Sequence, residues 1–383
     1  MSGQKRITIE KNIKQDVDSK KYYVTFYYGK DNAGKAIRKT KTFDNLADAR
    51  IALKEHELSL EKGDAIPPSR LDLNKAIENH LEILSLKSEE STLYGYRGIA
   101  KHIKEHKLGK RPVQEIKPTD IQAYLAYLQK EKNLSSNTAL KHYNFLNAVF
   151  NLLEKQEQIS RNPVKRVVAP KKQAHEPEYL TVEEAQELLR RVKGDRMEVP
   201  FALGLYTGMR RGELCGLKWE HVDFNTNTIR VVNNRINVGA KILEKKPKSI
   251  TSERIIHMVP ELREILLLEK EIQERNRELL KSEYKDEGYV ICHNDGQPVR
   301  PNYLSEMFKQ WFDRPENRDL HAITPHELRH SFVALSIAAK VPLYEISKAL
   351  GHGDIGITSR VYAHLLDDSH KSVTEGMASL LRK

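Results

Sequence analysis

The sequence predicts a multidomain protein that is mainly α-helical and carries small β-sheets. Residues 20–62 alternate side chains as strands do and then change to helical spacing. Residues 71–165 repeat apolar side chains at helical spacing. After Tyr179, helical segments are mixed with short strand-like runs. A chain of 383 residues is long enough for two or three domains with cores of their own, so each pattern is expected to form a separate domain.

The first predicted domain is a small sheet followed by a helix. Lys21–Tyr28 is rich in β-branched and aromatic residues, and Lys35–Phe43 alternates like a second strand. The turn-forming residues Asp31–Gly34 lie between them. Asp44 or Asn45 is suited to cap the helix that follows, because short polar side chains accept hydrogen bonds from free helix amides.

This first segment is strongly basic. Residues 1–43 contain eleven Lys or Arg and four Asp or Glu. In a strand, Ile37, Lys39, Lys41 and Phe43 share one face. Two interpretations stay open: a solvated ribbon, or a basic three-stranded sheet that lies in a DNA groove, which a β-ribbon fits.

The second predicted domain is all helical. Gly63–Arg70 contains a proline pair and interrupts the pattern as a linker does, and Arg161–Lys172 closes the domain as a basic connector. Helical bundles with basic connectors are common in proteins that never touch DNA, so this segment alone indicates no function. The helices are predicted over residues 73–84, Thr92–Lys107, Thr119–Lys130 and Ser136–Lys155.

The third predicted domain mixes helices and strands. Thr181 is followed by two acidic residues, which suits the start of a helix because the acids complement its dipole. An apolar helix over Val199–Gly208 should end at Gly208. From Glu261 onward the chain is predicted to be predominantly helical. A further helix is predicted over Glu213–Val222, and short strands over Ile229–Val232, Arg235–Val238 and Arg254–Val259.

Composition points to a cytoplasmic protein whose leading partner is nucleic acid. Lys and Arg total 64 against 53 Asp and Glu, a net charge of +11, which biases the molecule toward polyanions. Apolar runs such as Phe332–Ala339 are far shorter than the roughly 18 residues that span a bilayer. The polar N-terminus lacks the apolar stretch of a signal peptide. Two cysteines are too few for a disulfide framework or a four-cysteine zinc site.

Five short segments in the second half of the sequence carry side chains suited to phosphoryl transfer. Two arginines can hold both non-bridging oxygens of a phosphodiester and stabilise the charge that grows as phosphorus becomes five-coordinate. A phenol can attack phosphorus, and a lysine and histidines can move the protons. The segments are TGMRRGEL (207–214) with Arg210, PKSITSER (247–254) with Lys248, HELRH (326–330) with His326 and Arg329, LGH (350–352) with His352, and RVYAHL (360–365) with Tyr362.

The first of these segments places an arginine at a helix start. Gly208 suits the position after a helix, where a positive φ is needed. Arg210 then begins the next helix, where its guanidinium could share an anion site with free amides. Glu213 is close enough in sequence to support that guanidinium. Arg211 is the alternative.

Lys248 lies between two strand-like runs, in a segment expected to form a hairpin tip. A lysine there can be merely solvated, or it can reach a groove of DNA and protonate a departing 5′ oxygen. Lys245 and Lys246 are close competitors.

The HELRH segment admits two functional interpretations. Thr324 and Pro325 suit the cap and the first position of a helix, on which His326 and Arg329 share a face. The same letters also match the H-E-x-x-H zinc protease pattern, with His326 and His330 as ligands. That alternative needs a third ligand, places a cationic arginine beside the metal and leaves the other segments without roles. Without the metal, His330 is expected to be a packed, structural histidine.

The last two segments also admit a second interpretation. Pro342–Leu350 should form a helix ended by Gly351, which fixes His352 at the rim of a site. Thr358 could cap a further helix that carries Tyr362. The two helices resemble a helix-turn-helix DNA reader, but seven positions separate Gly351 from Thr358, whereas such turns take three or four.

Together these segments resemble the tyrosine recombinase, or integrase, family of phages and integrative conjugative elements. TGMRRGEL is similar to the family pattern T-G-[LM]-R-x-x-E-L, which places Arg210 at its invariant arginine. PKSITSER is similar to P-K-[TS]-x-x-S-x-R with Lys248, and His326 with Arg329 matches H-x-x-R. The L-G-H and R-V-Y-A-H-L context is close to the family's nucleophile segment. The resemblance covers residues 176–383 with the full motif set, 71–170 by pattern and 1–65 by domain type.

The resemblance implies a division of labour among domains and residues. Residues 1–65 would form an arm-site DNA-binding domain, 71–170 a helical core-binding domain and 176–383 a mixed α/β catalytic domain with a C-terminal tail. The phosphate would be held by Arg210, Arg329 and His352. Tyr362 would attack and form a 3′-phosphotyrosyl link, with its phenoxide favoured by the cations around it. His326 would manage the nucleophile's proton and Lys248 that of the leaving group.

The resemblance also implies partners. These are double-stranded DNA with core and arm attachment sites, three further protomers in a tetramer that passes through a Holliday junction, and an accessory directionality factor. The C-terminal tail would dock on a neighbouring protomer. No cofactor, metal or ATP is implied, because the bond energy is kept in the ester, and the expected location is the bacterial cytoplasm at the nucleoid. A DNA-binding regulator without catalysis and a type IB topoisomerase remain as alternatives.

Overall fold

The structure is a computed structural model of the chain. It describes residues 6–30, 33–63, 65–173, 176–245, 253–351 and 354–362, together with 377–378 and 381. The chain divides into two compact units, residues 1–173 and 174–383. As predicted, the architecture is mainly helical with small sheets. Of the helices described, none is long and apolar enough to span a bilayer.

The first unit begins with an antiparallel sheet packed on one helix. The prediction of three strands is wrong by one, because residues before Lys21 contribute a hairpin that sequence alternation did not reveal. Asn45 caps the helix by accepting a hydrogen bond from the Asp48 amide at 2.8 Å. The strands lie in the order β1 (Arg6–Glu10), β2 (Ile13–Asp16), β3 (Tyr22–Lys30) and β4 (Ala36–Phe43), followed by α1 (Leu46–Glu61).

The register of this sheet decides which basic side chains share a face. Lys39 and Lys41 pair with Phe26 and Val24, which form the core against α1. They therefore extend from the helix-covered face, where they remain exposed. The opposite face carries a different basic set, Arg6, Lys14 and Arg38, next to Tyr23 and Tyr27.

The rest of the first unit is a four-helix domain. Ser135 caps α5 and Asp72 caps α2, each through a side-chain oxygen. The apolar stripes of the helices meet in one core that includes Leu73, Ile103, Tyr124 and Phe150. All four predicted helices are confirmed to within a few residues: α2 (Leu73–Ser85), α3 (Glu90–Glu105), α4 (Pro118–Lys130) and α5 (Ser136–Lys155).

This core also contains a buried polar pair. The Tyr124 hydroxyl and His142 Nδ1 lie 3.0 Å apart, and His142 is 1% exposed. Burial, with a smaller contribution from the charge of His102, lowers the pKa of His142 to about 4. The ring is therefore neutral in the folded domain at neutral pH.

The second unit surrounds a central apolar helix with further helices and two small sheets. Its core includes Phe201, Phe308 and Trp311. The helices are α6 (Val182–Val192), α7 (Glu198–Thr207), α8 (Arg211–Leu214), α9 (Pro260–Leu280), α10 (Pro301–Phe312), α11 (Pro325–Ala338), α12 (Leu343–Ala349) and α13 (Ile355–Tyr362). The strands β5 (Val222–Asp223), β6 (Thr228–Val231) and β9 (Arg254–His257) form one antiparallel sheet, and β7 (Asn234–Val238) pairs with β8 (Lys241–Lys245) as a hairpin.

Two local predictions in this unit are wrong. The helix predicted over Glu213–Val222 is only a single turn, α8, followed by irregular chain and a short 3₁₀ turn. The helix ends where Gly216 packs closely against the Asn233 backbone: a Cβ on Gly216 would lie 3.0 Å from the Asn233 carbonyl oxygen. Thr358 was predicted to cap the helix of Tyr362, but the backbone is already helical from Ile355. The predicted strands over residues 229–232, 235–238 and 254–259 are present as β6, β7 and β9.

Candidate active site

The start of α11 is built as the sequence predicted. The Thr324 side chain accepts from the Glu327 amide, and the Glu327 carboxylate accepts from the Thr324 amide at 2.6 Å. Pro325 occupies the first turn, where its missing amide proton is not needed. This reciprocal cap fixes the helix turn that carries His326 and Arg329. It also commits Glu327 to the helix cap.

Arg329 is buried between the ends of two helices. Its Nη1 donates to the Gly208 carbonyl at 2.6 Å and its Nη2 donates to the Leu350 carbonyl at 2.8 Å. These carbonyls lie at the C-terminal ends of α7 and α12, where the helix dipoles favour a cation. Burial, with the charge of Arg210 next, lowers the pKa of Arg329 to about 9, so the guanidinium stays charged at neutral pH.

Gly208 permits this arrangement. Its φ of 60° lies in the left-handed region, as predicted for the residue that ends α7. A Cβ there would lie 2.6 Å from Phe332 and 2.9 Å from Leu350. Glycine is therefore required both by the turn and by the close approach of α11 and α12.

Arg210 lies at the N-cap position of α8 and is held by Glu213. Its Nη1 donates to Glu213 Oε1 and its backbone amide donates to Oε2, both at 2.8 Å. The Arg210 side chain is 38% exposed, so it can still meet a ligand. The alternative, Arg211, is exposed and donates instead to Ser305 on α10.

A second arginine, Arg254 on β9, completes this cluster. Its Nη2 donates to Glu213 Oε2 at 2.8 Å, and both side chains are almost fully buried. Burial alone would raise the pKa of Glu213, but the bonds and charges of Arg254 and Arg210 outweigh it and lower that pKa to about 2. No role was predicted for Arg254 from the sequence, although it is the last residue of the P-K-[TS]-x-x-S-x-R pattern.

Tyr362 lies at the end of α13 in a small apolar cluster with Val333, Ile346 and Leu350. It is 3% exposed, and its hydroxyl contacts His330 Nδ1. The expectation that the phenoxide is favoured is wrong for this form of the protein. Burial raises the pKa of Tyr362, and the opposing charge of Arg329 only reduces the effect.

His326 occupies the exposed side of the same helix turn. Its ring meets that of His330 edge to face, with centroids 4.7 Å apart. Local desolvation, together with the positive charge of Arg329, lowers the pKa of His326. The ring is therefore mostly neutral at neutral pH and able to accept a proton.

The structure thus brings together four of the six predicted site residues, Arg210, His326, Arg329 and Tyr362. Lys248 and His352 lie outside the described residues, as does most of the C-terminal tail. Among the side chains described, no group of three or more potential ligands is placed to hold a metal.

A phenol beside clustered arginines is an arrangement suited to phosphoryl transfer through a tyrosine. The sequence matches the phage integrase family over residues 178–369 and the phage integrase SAM-like domain over residues 72–173. The chain belongs to the phage integrase family, and it is a tyrosine-type site-specific recombinase. The zinc protease and repressor alternatives are not favoured.

Similar proteins match most of the chain. A XerC-like tyrosine recombinase of Caldanaerobacter subterraneus subsp. tengcongensis is 29% identical, over 95% of this chain and 97% of its own length. The ICEBs1 integrase of Bacillus subtilis is 27% identical, over 74% and 76% respectively.

Solved structures share the fold. The Tn1549 transposon integrase in complex with a circular intermediate DNA has a TM-score of 0.68 at 22% identity and covers 80% of this chain and 99% of its own. A lambda integrase dimer bound to a core site has a TM-score of 0.57 at 19% identity, over 93% and 96%.

Proposed function

We propose that this recombinase breaks and rejoins double-stranded DNA at the attachment sites of a mobile element, with Tyr362 as its nucleophile. The observation that carries the proposal is the convergence of Arg210, Arg329 and Tyr362 from distant parts of the sequence. Arg329 lies close enough to both residues to interact with them electrostatically. Its charge acts on the Tyr362 hydroxyl, and the charge of Arg210 acts on Arg329. Attack on a phosphodiester requires a nucleophile and cations that stabilise the phosphate charge, and here these are one phenol and two arginines.

In this proposal, Arg210, Arg329 and His352 hold the scissile phosphate. The Tyr362 oxygen forms a bond to phosphorus, and the bond from phosphorus to the 5′ oxygen breaks. Lys248 gives the 5′ oxygen its proton, and His326 is one of the residues that handle the proton of the phenol. The 3′-phosphotyrosyl ester keeps the bond energy, so the partner strand's 5′ hydroxyl can reverse the step without ATP.

The burial of Tyr362 and Arg329 gives this mechanism a preliminary step. Side chains that are 3% and 5% exposed cannot both touch a DNA phosphate while the residues around them keep this arrangement. We therefore propose that the surface over Tyr362 and Arg329 opens before attack. Because the phenol already lies beside the Arg329 of its own chain, we propose that cleavage occurs in cis.

The proposed division of the chain assigns residues 1–65 to arm sites, 71–170 to core sites and 176–383 to catalysis. On the N-terminal sheet, the face away from α1 is the candidate arm surface, since it presents Lys14 and Arg38 with the exposed ring of Tyr27. Arg38→Ala should therefore weaken arm-site binding more than Lys39→Ala, in which the neighbouring residue on the same strand is changed. Equal losses in a binding titration would contradict this assignment.

Assembly is proposed by analogy with the lambda integrase, which has been solved as a tetramer bound to a Holliday junction. We propose that this chain also acts as a tetramer, with its C-terminal tail docked on the next protomer and a separate factor setting direction. Cross-linking of the DNA complex, with and without residues 368–383, tests the role of the tail.

The central experiment uses a nicked duplex that carries the attachment site cloned from DNA beside the reading frame. The native protein should become covalently attached to it, and Tyr362→Phe should bind without attaching. Binding should fall steeply with salt, since phosphate contacts dominate affinity. An adduct formed by Tyr362→Phe would refute the nucleophile assignment, and relaxation of supercoils without a paired site would favour a topoisomerase.

A further inference from the structure

Among the described residues, the Tyr362 hydroxyl contacts a histidine other than His326 of the H-x-x-R pattern. It contacts Nδ1 of His330, the last residue of HELRH, which the sequence analysis took for a packed histidine. Both residues lie in the same protomer, His330 on α11 and Tyr362 at the end of α13. The two rings are 5.7 Å apart between centroids, inclined at 53°.

We propose that His330 positions the Tyr362 hydroxyl and takes its proton as the hydroxyl attacks DNA. The inference rests on the proposed nucleophile and adds to it the group that activates it. To take that proton, His330 must accept at Nδ1, and its neutral ring must then carry its own proton on Nε2. Since Nδ1 touches the reacting oxygen, it is better placed than His326, whose ring is in edge-to-face contact with that of His330.

The step balances without any co-reactant. The O–H bond of Tyr362 breaks, its proton moves to His330 Nδ1, and the phenol oxygen forms the bond to phosphorus. The bond from phosphorus to the 5′ oxygen breaks at the other side, and that oxygen takes a proton from the leaving-group donor. In the reverse step, His330 returns its proton to the departing phenol oxygen.

Neighbouring geometry explains why this histidine can serve as an acceptor. His330 follows Arg329, whose guanidinium donates to the Gly208 and Leu350 carbonyls. Among the described residues, the titratable and charged groups next to His330 include Arg329 and His326 on its own helix and Tyr362 on α13. Nδ1 of His330 thus lies at the phenol oxygen that carries the proton to be transferred.

Three variants of the full-length protein test the proposal on the nicked attachment-site duplex. His330→Ala removes both the contact and the base, while His330→Asn keeps a hydrogen-bonding group near the Nδ1 position but cannot take up a proton. His321→Ala, a partly exposed histidine before α11, is the matched control. Single-turnover rates of adduct formation are measured from pH 5 to 9, with thermal melts to establish folding.

We expect His330→Ala and His330→Asn to form the adduct roughly 100-fold more slowly or worse, which is the usual contribution of a general base. The native rate should rise with pH through a histidine-like midpoint, and that rise should vanish in His330→Asn. Added imidazole should restore part of the activity of His330→Ala. His321→Ala should match the native protein.

A second substrate separates the two ends of the reaction. A duplex with sulfur in place of the bridging 5′ oxygen has a leaving group that needs no proton. Lys248→Ala should recover on this duplex, whereas the His330 variants should not.

A native-like rate in His330→Asn, or recovery of either His330 variant on the sulfur duplex, overturns the proposal. If His330→Ala does not fold, the Asn variant decides alone. Failure of the proposed function would look different, because the native protein would then form no adduct or Tyr362→Phe would still form one.

Discussion

Replacing Glu213 with glutamine removes the negative charge that Arg210 and Arg254 share inside the second unit. The carboxylate is 4% exposed and accepts from both guanidinium groups. Glutamine has the same shape but leaves Arg254 buried without a counter-charge. Breaking a buried ion pair by removing one partner destabilises proteins by about 3–5 kcal/mol.

The pKa of Glu213 gives an independent magnitude. It falls from the ordinary 4.5 to about 2, and this difference corresponds to roughly 3 kcal/mol of stability. Because the folded-state pKa is the lower one, this stability is fully present above about pH 4.5 and is lost as the pH falls toward 2. For a unit of this size, the loss at pH 7 should lower the Tm by roughly 6–12 °C.

Tryptophan fluorescence measures this unit alone, since Trp219 and Trp311 are the two tryptophans of the chain. Urea and thermal unfolding of Glu213→Gln should be followed at pH 7, 5, 4 and 3. Glu274→Gln, which changes an exposed carboxylate on α9, is the matched control. If the two variants melt within about 2 °C at pH 7, or if their difference does not shrink in acid, the ion-pair argument fails.

Three further predictions follow from the buried contacts. Arg329→Lys replaces two donor nitrogens, each on its own carbonyl, with a single ammonium nitrogen, so it should lose about 2 kcal/mol in urea melts and nearly all adduct formation. Gly208→Ala should lower the stability by about 2–4 kcal/mol, because alanine disfavours the positive φ and its Cβ would clash with Phe332. Gly194→Ala, with a similar φ but open space around it, should lower the stability by only about 1 kcal/mol. Equal losses in the two variants would exclude the clash. The pKa of His142 is depressed from 6.5 to about 4 in the folded first unit. As the pH falls, the unfolded form therefore binds a proton before the folded form does, and about 3 kcal/mol of folding stability should be lost between pH 6.5 and 4. Circular dichroism should show this loss without a matching fluorescence change, and His142→Phe should remove most of it.

Much of the local structure was predictable because it depends on neighbours in sequence. Thr324, Pro325 and Glu327 form a helix start wherever they stand together, and the structure confirms it. Gly208 and Gly351 end helices with positive φ, as expected from residues without a Cβ. The helix predicted after Glu213 failed for the opposite reason, since contact with a distant segment near Asn233 decides the path of the chain there.

The sequence by itself determined the family, the helices and the identity of the reactive side chains, because motifs and periodicity are properties of adjacent residues. Tertiary structure decided which of these side chains contact one another. It placed Arg254 against Glu213, joined Arg329 to two helix ends and set His330 against Tyr362. Each of these contacts joins residues that are 21 to 121 positions apart. Only packing of the whole unit brings such atoms within hydrogen-bonding distance, so no local pattern could have revealed which basic group meets which acid, carbonyl or phenol.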